Sequence, residues 1–141
     1  MPLTNFGAIL NFAETVEQED MQFYQSAAAA STGAHRALFD DFARQGRKQT
    51  TLVQRTRREN VTEMILEPVR DFVRDGYEVA VGDAAGMDTD ALVAAAMALE
   101  QRAVRYYTDA ADKLRALPEV ARALKTLAKK RARRIDQLLK G

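Results

Sequence analysis

Only three prolines, Pro2, Pro68 and Pro118, punctuate this 141-residue chain, and Pro118 stands where a helix can begin. A proline in a first helical turn loses an amide that would be unbonded anyway, so it does not oppose the helix. Between these points alanine, leucine, arginine, glutamate and glutamine dominate, all good helix formers. No stretch alternates apolar and polar residues with strand period for more than a few positions. The chain therefore reads as all-α.

Four long amphipathic segments follow from the spacing. Helix one begins near Thr4 or Asn5, either of which can cap the free backbone amides. Its apolar face is Ile9/Leu10, Ala13, Val16, Met21, Tyr24 and Ala28, and it fades at the turn Ser31-Thr32-Gly33. Helix two runs from about Ala34 to Arg58, with Leu38/Phe39, Phe42, Gly46, Gln49 and Val53 inside. A shorter amphipathic helix is expected over Thr62–Tyr77, kinked or begun by Pro68, followed by a loop rich in glycine (Gly76, Gly82, Gly86). Asp88, Thr89 or Asp90 caps helix three, which is expected to reach Leu117. Its inner face is Val93, Ala96, Glu100, Ala103/Val104, Tyr107 and Ala111. Pro118 opens helix four, which runs to Leu139 with Ala121, Leu124, Leu127/Ala128, Arg131, Arg134/Ile135 and Leu138 inside. Connections one–two and three–four are short and imply antiparallel hairpins. The long, partly helical connection two–three brings helix three back parallel to helix two. The expected architecture is one four-helix bundle domain over residues 1–141, with a single crossover.

Composition narrows the function classes. There is no cysteine, so disulfides, thiolate metal sites, iron–sulfur clusters and cysteine nucleophiles are excluded. The start of the chain lacks a basic region and a long apolar run, so no signal peptide is expected. The small-apolar stretch Ala91–Leu99 is too short to cross a bilayer. A cytoplasmic protein without a membrane segment is the expectation. The net charge of +1 conceals blocks: an acidic first helix, a basic stretch over Arg44–Arg58, an acidic one over Glu59–Asp90 and a basic fourth helix. Such blocks suit oppositely charged helices packed together, or an outside partner. Nucleic acid is conceivable for the basic helices, but no nucleic-acid motif accompanies them, and a solvated or partner-facing surface is the preferred reading.

Two segments repeat. Glu17-Gln-Glu-Asp-Met-Gln-Phe-Tyr24-Gln-Ser-Ala-Ala matches Glu100-Gln-Arg-Ala-Val-Arg-Tyr-Tyr107-Thr-Asp-Ala-Ala at an offset of 83, and the following helices match loosely at 85. A repeated helical hairpin implies a bundle with internal two-fold pseudo-symmetry. Within it, Glu17 and Glu100 interrupt apolar stripes. A buried carboxylate must be paired, protonated or metal-bound, because isolated burial is very costly.

A glutamate, an aromatic pair ending seven residues later and then small residues resemble the first and third helices of the rubrerythrin-like branch of the ferritin-like superfamily. The resemblance covers the four long helices. It implies a di-iron bundle in which helices two and four carry Leu-Ala-x-Glu-Glu-x-x-His. This chain has Phe42-Ala43-Arg44-Gln45-Gly46-Arg47-Lys48-Gln49 and Leu127-Ala128-Lys129-Lys130-Arg131-Ala132-Arg133-Arg134 instead. Gly46 and Gln49 stand at one Glu/His pair, Arg131 and Arg134 at the other. The only histidine, His35, matches no ligand position. Glycine offers no donor atom, glutamine binds metal weakly and arginine repels it.

The expectation is a degenerate site of Glu17, Gly46, Gln49, Glu100, Arg131 and Arg134, without metal, in which Arg131 or Arg134 is the counter-charge of the two glutamates. Tyr24 and Tyr107 are expected as core aromatics with hydrogen-bonded hydroxyls. Two function classes remain: a non-enzymatic structural or interaction module, and a di-iron or other metal-binding oxidoreductase or iron-handling protein using Glu17 and Glu100. In the second, Glu14, Asp20, Glu63 and Glu67 are candidate extra oxygens. The resemblance also implies a homodimer, for which the apolar face Met64–Val73 is a candidate contact.

Overall fold

The structure, a computed structural model, describes residues 5–60 and 72–140. Four α-helices make up most of them: α1 (Phe6–Ala29), α2 (Gly33–Glu59), α3 (Thr89–Lys113) and α4 (Pro118–Lys140). No helix among the described residues is long and apolar enough to cross a membrane.

The helix starts follow local chemistry. The Asn5 side chain accepts from the Ala8 amide at 2.8 Å, and that of Asp88 from the Ala91 amide at 2.8 Å. Each satisfies a donor that the helix cannot. Gly33 opens α2 at φ +59°, a conformation that glycine adopts without strain. The end of α3 is four residues earlier than expected. Leu117 precedes Pro118, whose ring disfavours a helical conformation there. The chain instead turns over residues 114–117, with the Leu117 amide donating to the Leu114 carbonyl at 2.9 Å. Both leucines remain buried.

α1 packs along α2 and α3 along α4, and the hairpins meet through α1–α3 and α2–α4. Contacts between α1 and α3 run in opposite chain directions: Ile9 with Tyr106, Asp20 with Arg102 and Tyr24 with Glu100. α3 is thus antiparallel to α1 and parallel to α2, as a single crossover requires. The helix expected over Thr62–Tyr77 lies mostly outside the described residues. Its described end holds a 3-10 turn at Arg74–Tyr77, and a second follows at Ala84–Gly86.

The core has two apolar clusters. One contains Ile9, Phe12, Val16, Tyr106, Leu124 and Leu127, and Phe72 of the crossover stacks on Tyr106 with ring centroids 5.6 Å apart. The other contains Tyr24, Phe39, Phe42, Leu92, Leu99 and Leu138. A layer of buried charge accompanies them.

A charged layer at the centre of the bundle

Glu17, Gly46, Gln49, Glu100, Arg131 and Arg134 all fall on inward faces and all are buried. Arg131 is fully enclosed. Its Nη1 donates to both oxygens of Glu100, at 2.9 and 2.8 Å. Its Nη2 donates to Glu17 Oε2 at 3.0 Å and to Asp20 Oδ2 at 2.8 Å, and Nε to Glu17 Oε2 at 3.2 Å. One planar guanidinium therefore bridges three carboxyl groups, which its fork of donors suits.

Arg134 lies one helical step away. It donates to Glu100 Oε2 at 3.3 Å, to Gln45 Oε1 at 3.0 Å and to Gln49 Oε1 at 2.8 Å. Its guanidinium carbon also sits 5.3 Å from the Phe42 ring centre and 5.8 Å from that of Tyr24. These are cation–π distances.

The repeated tyrosines are exchanged between the hairpins. The Tyr24 hydroxyl donates to Glu100 and the Tyr107 hydroxyl to Glu17. Each repeat thus donates to the carboxylate of the other. This reciprocity follows from the common offset of 83 once α1 and α3 run antiparallel.

Two members of the layer, Asp20 and Arg102, are not among its expected residues, although Asp20 is a candidate extra metal oxygen in the sequence. Asp20 is buried, and its Oδ1 accepts from Arg102 Nη2 at 2.6 Å. Arg102 is buried too, and also donates to the Tyr77 carbonyl at 3.0 Å, tying the crossover to the layer. The layer thus sets three carboxyl groups (Glu17, Asp20, Glu100) against three guanidinium groups (Arg102, Arg131, Arg134). Two of its atoms, Glu17 Oε1 and Arg102 Nε, are buried without a hydrogen-bond partner.

Burial and charge compete over the acidities. Burial pushes the Asp20 carboxyl up to about 6, with Arg131 and Arg102 opposing it. At Glu100 burial works in the same direction, but Arg131 and Arg134 outweigh it and hold the carboxyl below its ordinary range. Burial disfavours the charged form of Arg131, yet Glu100, Glu17 and Asp20 raise it well above the ordinary arginine value. Tyr24 and Tyr107 are pushed well above the ordinary phenol range, by burial first and by Glu100 and Glu17 next. Both hydroxyls therefore keep their protons and act as donors.

Gly46 has a steric reason. A Cβ there would lie 3.1 Å from Met21 Cβ, so α1 and α2 approach too closely at this level for a larger side chain without adjustment. His35 lies in the first turn of α2, half-buried, with its ring centre 6.5 Å from that of Phe39, and takes no part in the layer. Glu14 also lies outside it, at the α1–α2 edge, accepting from Gln54 at 2.5 Å and Arg57 at 2.9 Å. Glu63 and Glu67 fall outside the described residues. Among the described residues, no three His, Asp or Glu side chains are grouped so as to hold a metal ion.

A family model described as a ferritin-like domain matches residues 7–135. No curated protein and no solved structure matches the chain significantly.

Proposed function

This chain belongs to the ferritin-like family, and we propose that it is a rubrerythrin-related member acting as a non-enzymatic structural or interaction module. In this reading the di-iron layer has been replaced by an internal salt-bridge layer. The observation that carries it is the place of Arg131, whose guanidinium spans Glu17, Asp20 and Glu100 at hydrogen-bonding distance. A guanidinium there supplies counter-charge to the carboxylates in the place of a metal pair, and its own charge opposes metal entry.

The donor set is a poor fit to a di-iron centre. Two of the four positions where the resemblance puts Glu and His hold arginines, one holds glycine, and Gln49 has its carboxamide oxygen committed to Arg134. The carboxylates that remain are committed to guanidinium and phenol donors. A buried ion cluster of this kind contributes more to helix register than to net stability. The single-domain organisation, the cytoplasmic location and the homodimer belong to the same proposal. Val73 and Leu139 are exposed large apolar residues that a dimer contact could cover, and light scattering on the purified chain tests the dimer.

The deciding experiment is metal analysis of purified protein, before and after anaerobic loading with ferrous iron and desalting. The expected result is well below one iron per chain in both states. Two irons per chain retained after desalting, lost in Glu17→Gln and Glu100→Gln, would overturn the reading in favour of an iron-handling or oxidoreductase role.

A further inference from the structure

α2 and α4 also form a cleft on the outside of the bundle, and its wall includes Gln45 and Gln49, which hold Arg134 of the charged layer. It has a volume of about 490 Å³, within the range of small-molecule sites, about 300–1,000 Å³. Lys48 of α2 and Lys130, Arg133 and Lys140 of α4 line it, against the one carboxylate of Asp136. None of the four cations forms an ion pair among the described residues. These cations come from two helices 85 residues apart in register, so only the antiparallel packing of α2 on α4 gathers them.

The cleft also contains a fixed donor. Gln49 lines it while being only 2% exposed. Its Oε1 is held by Arg134 Nη2 at 2.8 Å. That bond decides which end of the carboxamide faces the arginine, and leaves the Nε2 donor without a partner among the described residues. An N–H donor in the wall of a cleft lined by four cations favours an oxyanion over a cation.

We propose that this cleft binds a compact, multiply charged phosphate group: a di- or triphosphate, free or carried by a small molecule. The charge of such a group matches four cations offset by one carboxylate, and lysine serves phosphate as a point charge. A nucleic-acid duplex spreads its phosphates along a rod, about one charge per 1.7 Å of axis. It would use the whole basic face of α2 and α4, including the exposed Arg55 and Arg58, which lie outside the cleft. The concave shape and the donor within it favour the compact group. This site does not depend on whether the core layer binds metal.

The test is isothermal titration calorimetry at low salt with sodium tripolyphosphate, a nucleoside triphosphate and a short DNA duplex as separate probes. Tripolyphosphate is expected to bind. Lys130→Ala/Arg133→Ala, both exposed positions, should weaken it at least tenfold with the melting temperature retained. Gln49→Glu, which replaces the donor by an oxygen beside Arg134, should do the same. Arg55→Ala/Arg58→Ala should leave it within about twofold. Tighter binding of the nucleoside triphosphate would assign the phosphate to a small molecule, and equal binding would assign it to the free polyphosphate. Absence of binding to the natural protein would overturn the proposal. So would preference for the duplex, equal weakening by the Arg55/Arg58 pair, or an unchanged affinity in Gln49→Glu.

Discussion

The two hairpins of this bundle repeat each other in one helix and part company in the other. α1 and α3 carry the same Glu and Tyr at the same spacing, and these exchange hydrogen bonds across the pseudo-two-fold. α2 and α4 hold Gly46 and Gln49 against Arg131 and Arg134 at corresponding positions. Opposed glutamates need counter-charge, and one helix can supply it. Once Arg131 bridges Glu17 and Glu100, an arginine at position 46 would bring excess positive charge and require space that Met21 occupies. Symmetry survives where each half supplies what the other lacks, and fails where the arginines of one helix serve both glutamates.

The asymmetry makes Arg131 the position of largest effect. Arg131→Met keeps an unbranched side chain but removes the guanidinium and strands buried carboxyl groups. A loss of about 3–5 kcal/mol is expected in urea denaturation at neutral pH. Adding Glu17→Gln, Asp20→Asn and Glu100→Gln should recover a large part of it. If the single variant is as stable as the natural protein, the layer is not a coupled unit.

The tyrosines should reveal the inequality of the halves. Glu100 keeps contacts from both Arg131 and Arg134 when Tyr24 is lost, whereas Glu17 keeps only Arg131 when Tyr107 is lost. Tyr107→Phe is therefore expected to cost more than Tyr24→Phe, with both within about 1–3 kcal/mol, the range for a hydrogen bond to a charged group. Equal losses would mean that the pseudo-symmetry outweighs the arginine distribution.

The pH dependence sharpens the same point. Asp20, raised from 3.8 to about 6 in the fold, binds a proton there that the unfolded chain has released. Its contribution is full below about pH 4 and is lost as pH rises through 6. Glu100, held low, contributes above its ordinary value of 4.5, and that contribution is lost on acidification. The stability difference between the natural protein and Asp20→Asn should therefore fall from pH 4 to 6 and then level off, as followed by urea denaturation at fixed ionic strength. A rise over that window would refute the assignment. The smallest effect belongs to the exposed Arg115–Asp112 pair, 3.5 Å apart. Asp112→Ala should change stability by no more than about 0.5 kcal/mol, because water screens that pair.

Much of the layer was legible because helical spacing is a local property. Residues three and four apart share a face, so Glu17, Glu100, Arg131, Arg134, Gly46 and Gln49 could be placed inside from their apolar neighbours alone. The same rule misjudged Asp20. It lies three residues after Glu17, at the margin of the stripe, where local spacing left it only a candidate spare oxygen. Its burial is decided by Arg102, which is 82 residues away. The reach of α3 was overestimated because Leu114 and Leu117 continue its apolar pattern into the turn before Pro118.

By itself the sequence determined the four long helices, the few residues among which their caps fall, the antiparallel hairpins and the internal repeat, since each depends on backbone chemistry and short-range periodicity. It also determined that two carboxylates and two arginines share the interior. Only the tertiary structure decided who meets whom: one guanidinium for three carboxylates, tyrosines exchanged between halves, Met21 against Gly46, and four cations gathered over Gln49. Such partnerships depend on side chains from helices that are neighbours in space and remote in sequence. Their energies are decided by burial, which a linear pattern specifies for a face but not for each atom on it.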